Sequence, residues 1–421
     1  MTIKLADDLG LETGLPIKDV LRFRYSWKTD CHAVLYMEGY IHRDDTTDLL
    51  YTYDSRLRLW TTREGEQQTL FFGVIVHIEI KMEGFLRYIT LKAMSASCLL
   101  DRKLSSCSFQ NVEKTYGEIV REAAESEGGR VIRDRKADRA IGTPVIRYEE
   151  TVWQFARRLA GRSGTCILPD VTTGRPDFWF GMRKGRVVPA PPEEQYTVDI
   201  TPIGKGKGIR YQTEARIPYR LGDIVSYLDQ PLTITEIKGC YERGEMVFQY
   251  GMEEQGSRRI GQLESPHRAG LGLWGIVREV KGEMLKIALD IDDGKETGDY
   301  LYPWQPETGN ALYAMPEPGA RVLLYFYDAG QKNGAVIHCM NKETQVSYKD
   351  RALDIADGNQ LRLWKDEVRL DRGGGHSLSV GDERIAARTK LGVEISAGGY
   401  VFLRGRKIRM TTPEELVISQ A

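Results

Sequence analysis

The sequence predicts a mainly β protein: β-barrels carrying an α/β insert, a small OB-fold barrel, and a C-terminal intertwined trimeric β-helix or β-prism needle. Three observations point there. Runs of β-branched and aromatic residues bounded by turns fill residues 16 to 100 and return from 209 onward. Helix-period segments interrupt them only between 115 and 162. The last seventy residues repeat one apolar–x–apolar unit nine times.

Length and composition bound the rest. A chain of 421 residues is too long for one domain and is expected to hold about three. Lys and Arg total 59 against 60 Asp and Glu, so the basic excess of a dedicated nucleic-acid binder is missing. No run of about 18 apolar residues reads as a membrane span. The start, MTIKLADDLGLETG, has no apolar core of a secretory signal, so synthesis in the cytoplasm is expected. The six cysteines, Cys31, Cys98, Cys107, Cys166, Cys240 and Cys339, form no CxxC pair and read as free thiols.

In chain order, residues 1–100 read as a first barrel, with strands at Val34–Tyr40, Asp48–Leu59, Thr69–Ile80 and Leu86–Leu91. Residues 101–200 read as the α/β insert. Thr115 is its first N-cap, and Glu118 three residues on completes a capping box. Tyr116, Ile119, Val120 and Ala123 share the buried face, and Gly128-Gly129 stops the helix. A second helix is expected from Glu150 to Arg162, with Val152, Phe155, Ala156 and Leu159 inward and Gly164 closing it. Glu149 and Glu150 read as helix-start acids suited to the dipole. A strand at Thr165–Leu168 and the aromatic Phe178-Trp-Phe180 follow. Residues 201–262 hold strands at Ala215–Pro218, Ile224–Tyr227, Leu232–Ile237 and Val247–Tyr250, either a second barrel or completion of the first. After a polar linker, residues 263–346 are expected to form the OB-like barrel from Leu273–Val280, Met284–Asp290, Ala311–Met315, Arg321–Tyr327 and Gly334–Met340.

Residues 347–421 carry the repeat. Its pairs are Leu353 and Ile355, Leu361 and Leu363, Val368 and Leu370, Leu378 and Val380, Ile385 and Ala387, Val393 and Ile395, Val401 and Leu403, Ile408 and Met410, and Leu416 and Ile418, spaced 7 to 10 residues apart. Polar or charged residues such as Arg362, Arg369, Ser379 and Arg409 separate the two members. Each strand offers two apolar side chains on one face, and no later segment covers them. Three copies wound around one axis bury all three stripes, giving a rod of roughly 40 Å at about 4.8 Å per strand. A single-chain solenoid is the competing arrangement, and its coils normally run longer.

These pieces resemble the VgrG family and related hub-spike proteins of contractile phage tails. Tyr148–Ala160 (Tyr-Glu-Glu-Thr-Val-Trp-Gln-Phe-Ala-Arg-Arg-Leu-Ala) is similar to the hub-domain helix, whose packing the resemblance places on Tyr148, Trp153, Phe155 and Leu159. Tyr219-Arg-Leu-Gly-Asp-Ile-Val225 with Leu232–Ile237 resembles the leucine–glycine–aspartate strand pair. Ala314-Met-Pro-Glu-Pro-Gly-Ala-Arg-Val322 with Gly334–Ile337 resembles the spike OB signature. The order of hub, insert, hub, OB and needle is more specific than any one motif. The resemblance implies a homotrimer that adapts a hexameric inner tube to a threefold spike, with baseplate neighbours and a separate PAAR-like tip. It implies effectors as passengers, a membrane only as puncture target, and delivery in a particle. No lysozyme insertion or appended effector domain is recognisable.

Chemical motifs are weak. Gly270-Leu-Gly-Leu-Trp-Gly275 matches GxGxxG, but a strand rather than a helix is expected after it. Gly204-Lys-Gly-Lys-Gly208 lacks P-loop spacing. Asp290-Ile-Asp-Asp-Gly294 fails the EF-hand count and reads as a hairpin turn. The six histidines are scattered, and outward exposure is expected for His376. No cofactor, metal or catalytic grouping is recognised. The alternatives are a cell-wall or polysaccharide-degrading enzyme on a β-helix, and an OB-fold nucleic-acid binder using Trp274, Tyr300, Tyr302 and Trp304.

Overall fold

The structure, a computed structural model, describes residues 2–6, 8–41, 55–63, 65–133, 138–191, 195–203, 206–254, 270–295, 298–307, 314–328, 334–340, 351–355, 358–413, 415 and 417. The chain divides into two compact units, 1–340 and 341–421, each described by itself.

The first unit opens with β1 (Thr2–Ala6), β2 (Leu9–Thr13), β3 (Ile17–Lys28), β4 (Val34–Ile41), β5 (Arg56–Arg63), β6 (Glu66–Glu83) and β7 (Leu86–Ser95). The insert holds β8 (Ser105–Phe109), α1 (Tyr116–Glu125), β9 (Arg130–Arg133), β10 (Val145–Glu150), α2 (Val152–Ser163), β11 (Ile167–Pro169) and β12 (Asp177–Phe180). Then come β13 (Val187–Val188), β14 (Tyr196–Ile203), β15 (Gly206–Ala215), β16 (Ile224–Tyr227), β17 (Gln230–Glu242) and β18 (Glu245–Glu254). The strands on either side of the insert make one sheet of 13 strands, because β17 pairs antiparallel with β3. The later strands therefore complete the first sheet.

Alternation explains its core. In β3, Phe23, Tyr25 and Trp27 are buried while Arg24 and Lys28 are exposed. Register shifts near Asp19 and Arg22 break the period earlier in the strand. Residues 42–54, which include most of the expected Asp48–Leu59 strand, lie outside the described residues. The expected strand Ala215–Pro218 stops at Ala215. Pro218 has no amide to donate, and the Tyr250 hydroxyl instead donates to the Ile217 carbonyl at 2.5 Å. The Leu-Gly-Asp turn is held by backbone contact: Gly222 has φ +85°, and a Cβ there would meet the Arg183 carbonyl oxygen at 2.3 Å. Asp223 accepts from the Arg183 guanidinium (2.5 Å) and the Arg220 amide (2.9 Å).

Both insert helices start in complete capping boxes. Thr115 pairs with Glu118, and Thr151 with Gln154. Gly164, with φ +76°, ends α2. The facing sides of α1 and α2 bury Ile119, Val120, Phe155 and Leu159 with Phe109 and Phe178. The acids before α2 do something other than capping. Glu150 ends β10 and grips Arg158, one helix turn and more away, through two bonds of 2.8 and 3.0 Å. Both side chains are buried, so the pair replaces the water each has lost.

The OB-like barrel has β19 (Leu271–Lys281), β20 (Met284–Leu289), β21 (Leu301–Pro303), β22 (Arg321–Phe326) and β23 (Gly334–Cys339), ordered β21-β20-β19-β22-β23. Its core joins Leu273, Ile287, Leu289, Val322 and Phe326, with Ile146 of the insert buried among them. Residues 311–313 of the expected strand Ala311–Met315 lie outside the described residues, and Ala314 and Met315 are not in a strand. The fifth strand is Leu301–Pro303. Asp290–Asp292 forms a 3-10 turn rather than a hairpin, with Asp293 and Gly294 left-handed after it. Asp292 points inward, where it bonds Ser108 of the insert.

Candidate functional site

The second unit carries a five-stranded antiparallel meander: β24 (Arg351–Ile355), β25 (Asn359–Leu363), β26 (Glu367–Arg372), β27 (His376–Gly381) and β28 (Ile385–Arg388). Short turns make the meander. Gly358, Gly374 and Gly375 take positive φ, and Trp364 donates its amide to the Glu367 carbonyl at 2.8 Å. Register places apolar residue opposite apolar residue. Leu353 faces Leu361, Leu361 faces Leu370, and Leu370 faces Leu378; Leu363 faces Val368, Val368 faces Val380, and Val380 faces Ile385. Two unbroken ladders result on one face. The other face pairs Arg362 with Arg369 and Arg369 with Ser379.

Burial in this sheet is inverted. Val368, Leu370, Leu378 and Val380 are 44%, 50%, 45% and 47% exposed. Their polar neighbours Glu367, Arg369 and Asp371 are better covered, and Arg369 forks onto Asp371 at 2.8 and 3.0 Å. A contiguous apolar stripe left open to water marks a contact surface.

Among the described residues, strand pairing in this unit ends at Arg388. The sequence leads one to expect strands at the next three pairs as well. Val393 and Ile395, Val401 and Leu403, and Ile408 and Met410 lie in residues 389–413, which are not in strands. Ile395, expected in the needle core, is 73% exposed, and Val393 beside it is exposed as well. The other four side chains are also open to water. Among the described residues these short segments are in no strand with their own chain, and it does not bury their apolar side chains. Leu416 and Ile418 lie outside the described residues, and the Ile355 side chain is not described. His376, expected to face outward, is half-buried, its ring bonded to the Thr389 hydroxyl at 2.9 Å.

The residues singled out on the insert separate. Trp153, Phe155 and Leu159 lie in the helical core. Tyr148 sits on β10 instead and packs against the OB-barrel core. The aromatic residues of the nucleic-acid alternative are occupied. Tyr302 is buried and lies against Tyr300, Trp304 packs on the OB core, and Trp274 lies beneath Arg321 and beside His338.

Folding also assembles a Ser/His/Asp grouping invisible in the sequence. His32 Nδ1 is 2.8 Å from Ser97 Oγ, and its Nε2 is 3.5 Å from Asp101. Asp101 also accepts from Thr151. Burial works against the Asp101 charge, yet the bonds from His32 and Thr151 hold its carboxyl below the usual range. Ser97 is fully buried and bonded to Ser95, and the imidazole packs on Trp153, so no substrate reaches the hydroxyl. The grouping ties the turn before β4 to the N-cap of α2. Among the described residues, no cluster of three His, Cys, Asp or Glu side chains is arranged to hold a metal, and no helix is long and apolar enough to cross a membrane.

No family model and no curated protein matches this sequence. Solved structures do match. An Escherichia coli component of the type VI secretion system, described as similar to the bacteriophage T4 tail proteins gp27 and gp5, aligns over 77% of this chain and 98% of its own at 14% identity, with TM-score 0.55. A chain of the lidded Francisella PdpA–VgrG complex aligns over 88% of this chain and 76% of its own at 8% identity, TM-score 0.57. The half-lidded form aligns over 91% and 88%, also at 8% identity, TM-score 0.55. The chain thus has a VgrG-like, phage-tail-hub fold.

Proposed function

We propose that this chain is the structural hub-spike of a contractile injection machine and works as a homotrimer. The observation that carries the reading is the inverted burial of the C-terminal sheet, whose leucine and valine ladders face water while its charged face is better covered. Three copies wound on one axis bury the ladders against each other, and the charged face, with Arg369 already paired to Asp371, lies away from the axis. The hub-like fold of the first unit supports the same reading. Mechanics replaces chemistry: contraction supplies force, and peeling one chain away exposes the stripes of all three.

In this arrangement residues 1–100 and 201–262, bridged by the insert 101–200, seat on a hexameric inner tube beside baseplate proteins. Residues 263–346 and 347–421 form the piercing part. A separate PAAR-like protein caps the needle, and effectors ride with it. The chain acts without a cofactor and does not act as an enzyme; the shielded Ser97 hydroxyl speaks against a hydrolase. The covered faces of Trp274 and Tyr302 speak against nucleic-acid stacking.

Light scattering on the full chain tests this. The expected mass is that of three copies, falling to one or an unstable mixture when residues 351–421 are removed. A well-folded solitary molecule at working concentration overturns the proposal.

A further inference from the structure

We propose that residues 400–409 form a belt on the needle that binds anionic lipid headgroups. The inference rests on the trimeric-needle reading and names the surface the needle meets. Tyr400 and Phe402 are 84% and 86% exposed, with ring centroids 5.9 Å apart. Residues two apart in extended chain share a face, so these rings lie opposite Val401 and Leu403, the pair assigned to the trimer seam. Closing the seam leaves both rings in water.

Beside the rings stand Arg404, Arg406, Lys407 and Arg409, all exposed. The sequence has no acidic residue between Glu394 and Glu414. The whole chain carries a formal charge of only −1, so this positive charge is local. Aromatic rings flanked by such cations suit a membrane interface. The rings settle at headgroup depth, and the long cationic side chains reach phosphate. A nucleic acid shares the phosphate chemistry, but the rings are tilted 40° to each other and offer no parallel slot for a base.

Vesicle co-sedimentation of the full-length protein tests the belt, with trimer mass checked by light scattering in every sample. The arms are phosphatidylcholine alone, phosphatidylcholine with phosphatidylglycerol, and the latter with excess inorganic phosphate or a DNA oligonucleotide. Trimers are expected to bind only the phosphatidylglycerol vesicles, more weakly as salt rises, with inorganic phosphate failing to displace them. Arg406→Gln with Lys407→Gln is expected to lower partitioning about tenfold or more, and Phe402→Ser to weaken it while three-copy mass persists. If Phe402→Ser fails to trimerise, Tyr400→Ser and the wild-type salt titration decide. Trimers that ignore lipid charge, bind the oligonucleotide instead, or bind vesicles equally well without Arg406 and Lys407 overturn the belt and leave the hub-spike reading standing. Absence of trimers overturns both.

Discussion

The Asp292 carboxylate accepts from the Ser108 amide at 2.5 Å and from the Ser108 hydroxyl at 2.6 Å. Alongside, the Gln110 side chain donates to the Ile287 carbonyl at 3.1 Å. With Ile146 buried in the OB-barrel core, these bonds join the barrel to the insert within the first unit.

Removing the Asp292 carboxylate strands the Ser108 amide in a buried site. Asp292→Ala is expected to cost about 1–3 kcal/mol, read from urea denaturation of the full chain. Burial, against the pull of the Ser108 bonds, raises the carboxyl above its ordinary range. The folded chain then keeps the proton at pH values where the unfolded chain has lost it. This contribution to stability therefore falls as pH rises from about 4 toward the raised folded value. Asp292→Asn is expected to lack that fall; parallel pH profiles for variant and wild type count against it.

The Glu150–Arg158 pair makes a different expectation. Desolvation lowers the Arg158 pKa although Glu150 opposes the shift, the mark of a charge held out of water by its partner. Glu150→Ala leaves Arg158 buried without that partner and is expected to cost about 3–5 kcal/mol. Glu150→Leu with Arg158→Met is expected to recover much of the loss. A double variant less stable than Glu150→Ala contradicts this.

Much of the fold was legible because its signals are local. Thr115 and Glu118 announced α1, turn-bounded runs of β-branched and aromatic residues announced β4, β6 and β7, and alternation announced the C-terminal pairs as far as Ile385. What stayed hidden depends on distant partners. Glu150 looked like a helix-start acid because its cation lies eight residues on, inside the helix. Asp292 looked like part of a turn because Ser108 stands 184 positions earlier. Ser97, His32 and Asp101 meet only after β3 to β7 fold. β3 was blurred by its two register shifts, and Leu301–Pro303 was too short to stand out. The pairs from Val393 and Ile395 to Ile408 and Met410 show the converse, a plain pattern that the single chain does not convert into strands.

The N-cap of α2 should be sensitive to acid. Thr151 closes a capping box and also donates to Asp101, whose carboxyl is held low. A depressed carboxyl contributes stability that is present above its unfolded value and lost as pH falls through the folded value. Thr151→Ala is expected to cost about 1 kcal/mol near neutrality, and to shrink the loss seen between roughly pH 4 and lower values. Thermal melts at pH 7 and pH 3 check both; identical acid sensitivity in variant and wild type rejects the link to Asp101.

The seam itself gives the sharpest contrast. If Val401 and Leu403 face a common axis, Val401→Asp places three carboxylates together in an apolar channel. Like charges in a dry site cannot all be ionised without large cost, and each lacks a partner. Arg409 sits between Ile408 and Met410, hence on the solvated face, and Arg409→Asp changes only exposed charge, an effect usually within about 0.5 kcal/mol. Light scattering should therefore find trimers largely lost in Val401→Asp and retained in Arg409→Asp. In a single-chain solenoid neither substitution has a trimer to break. Equal trimer fractions would place Val401 off the axis, because position on or off a shared seam is what separates the two residues.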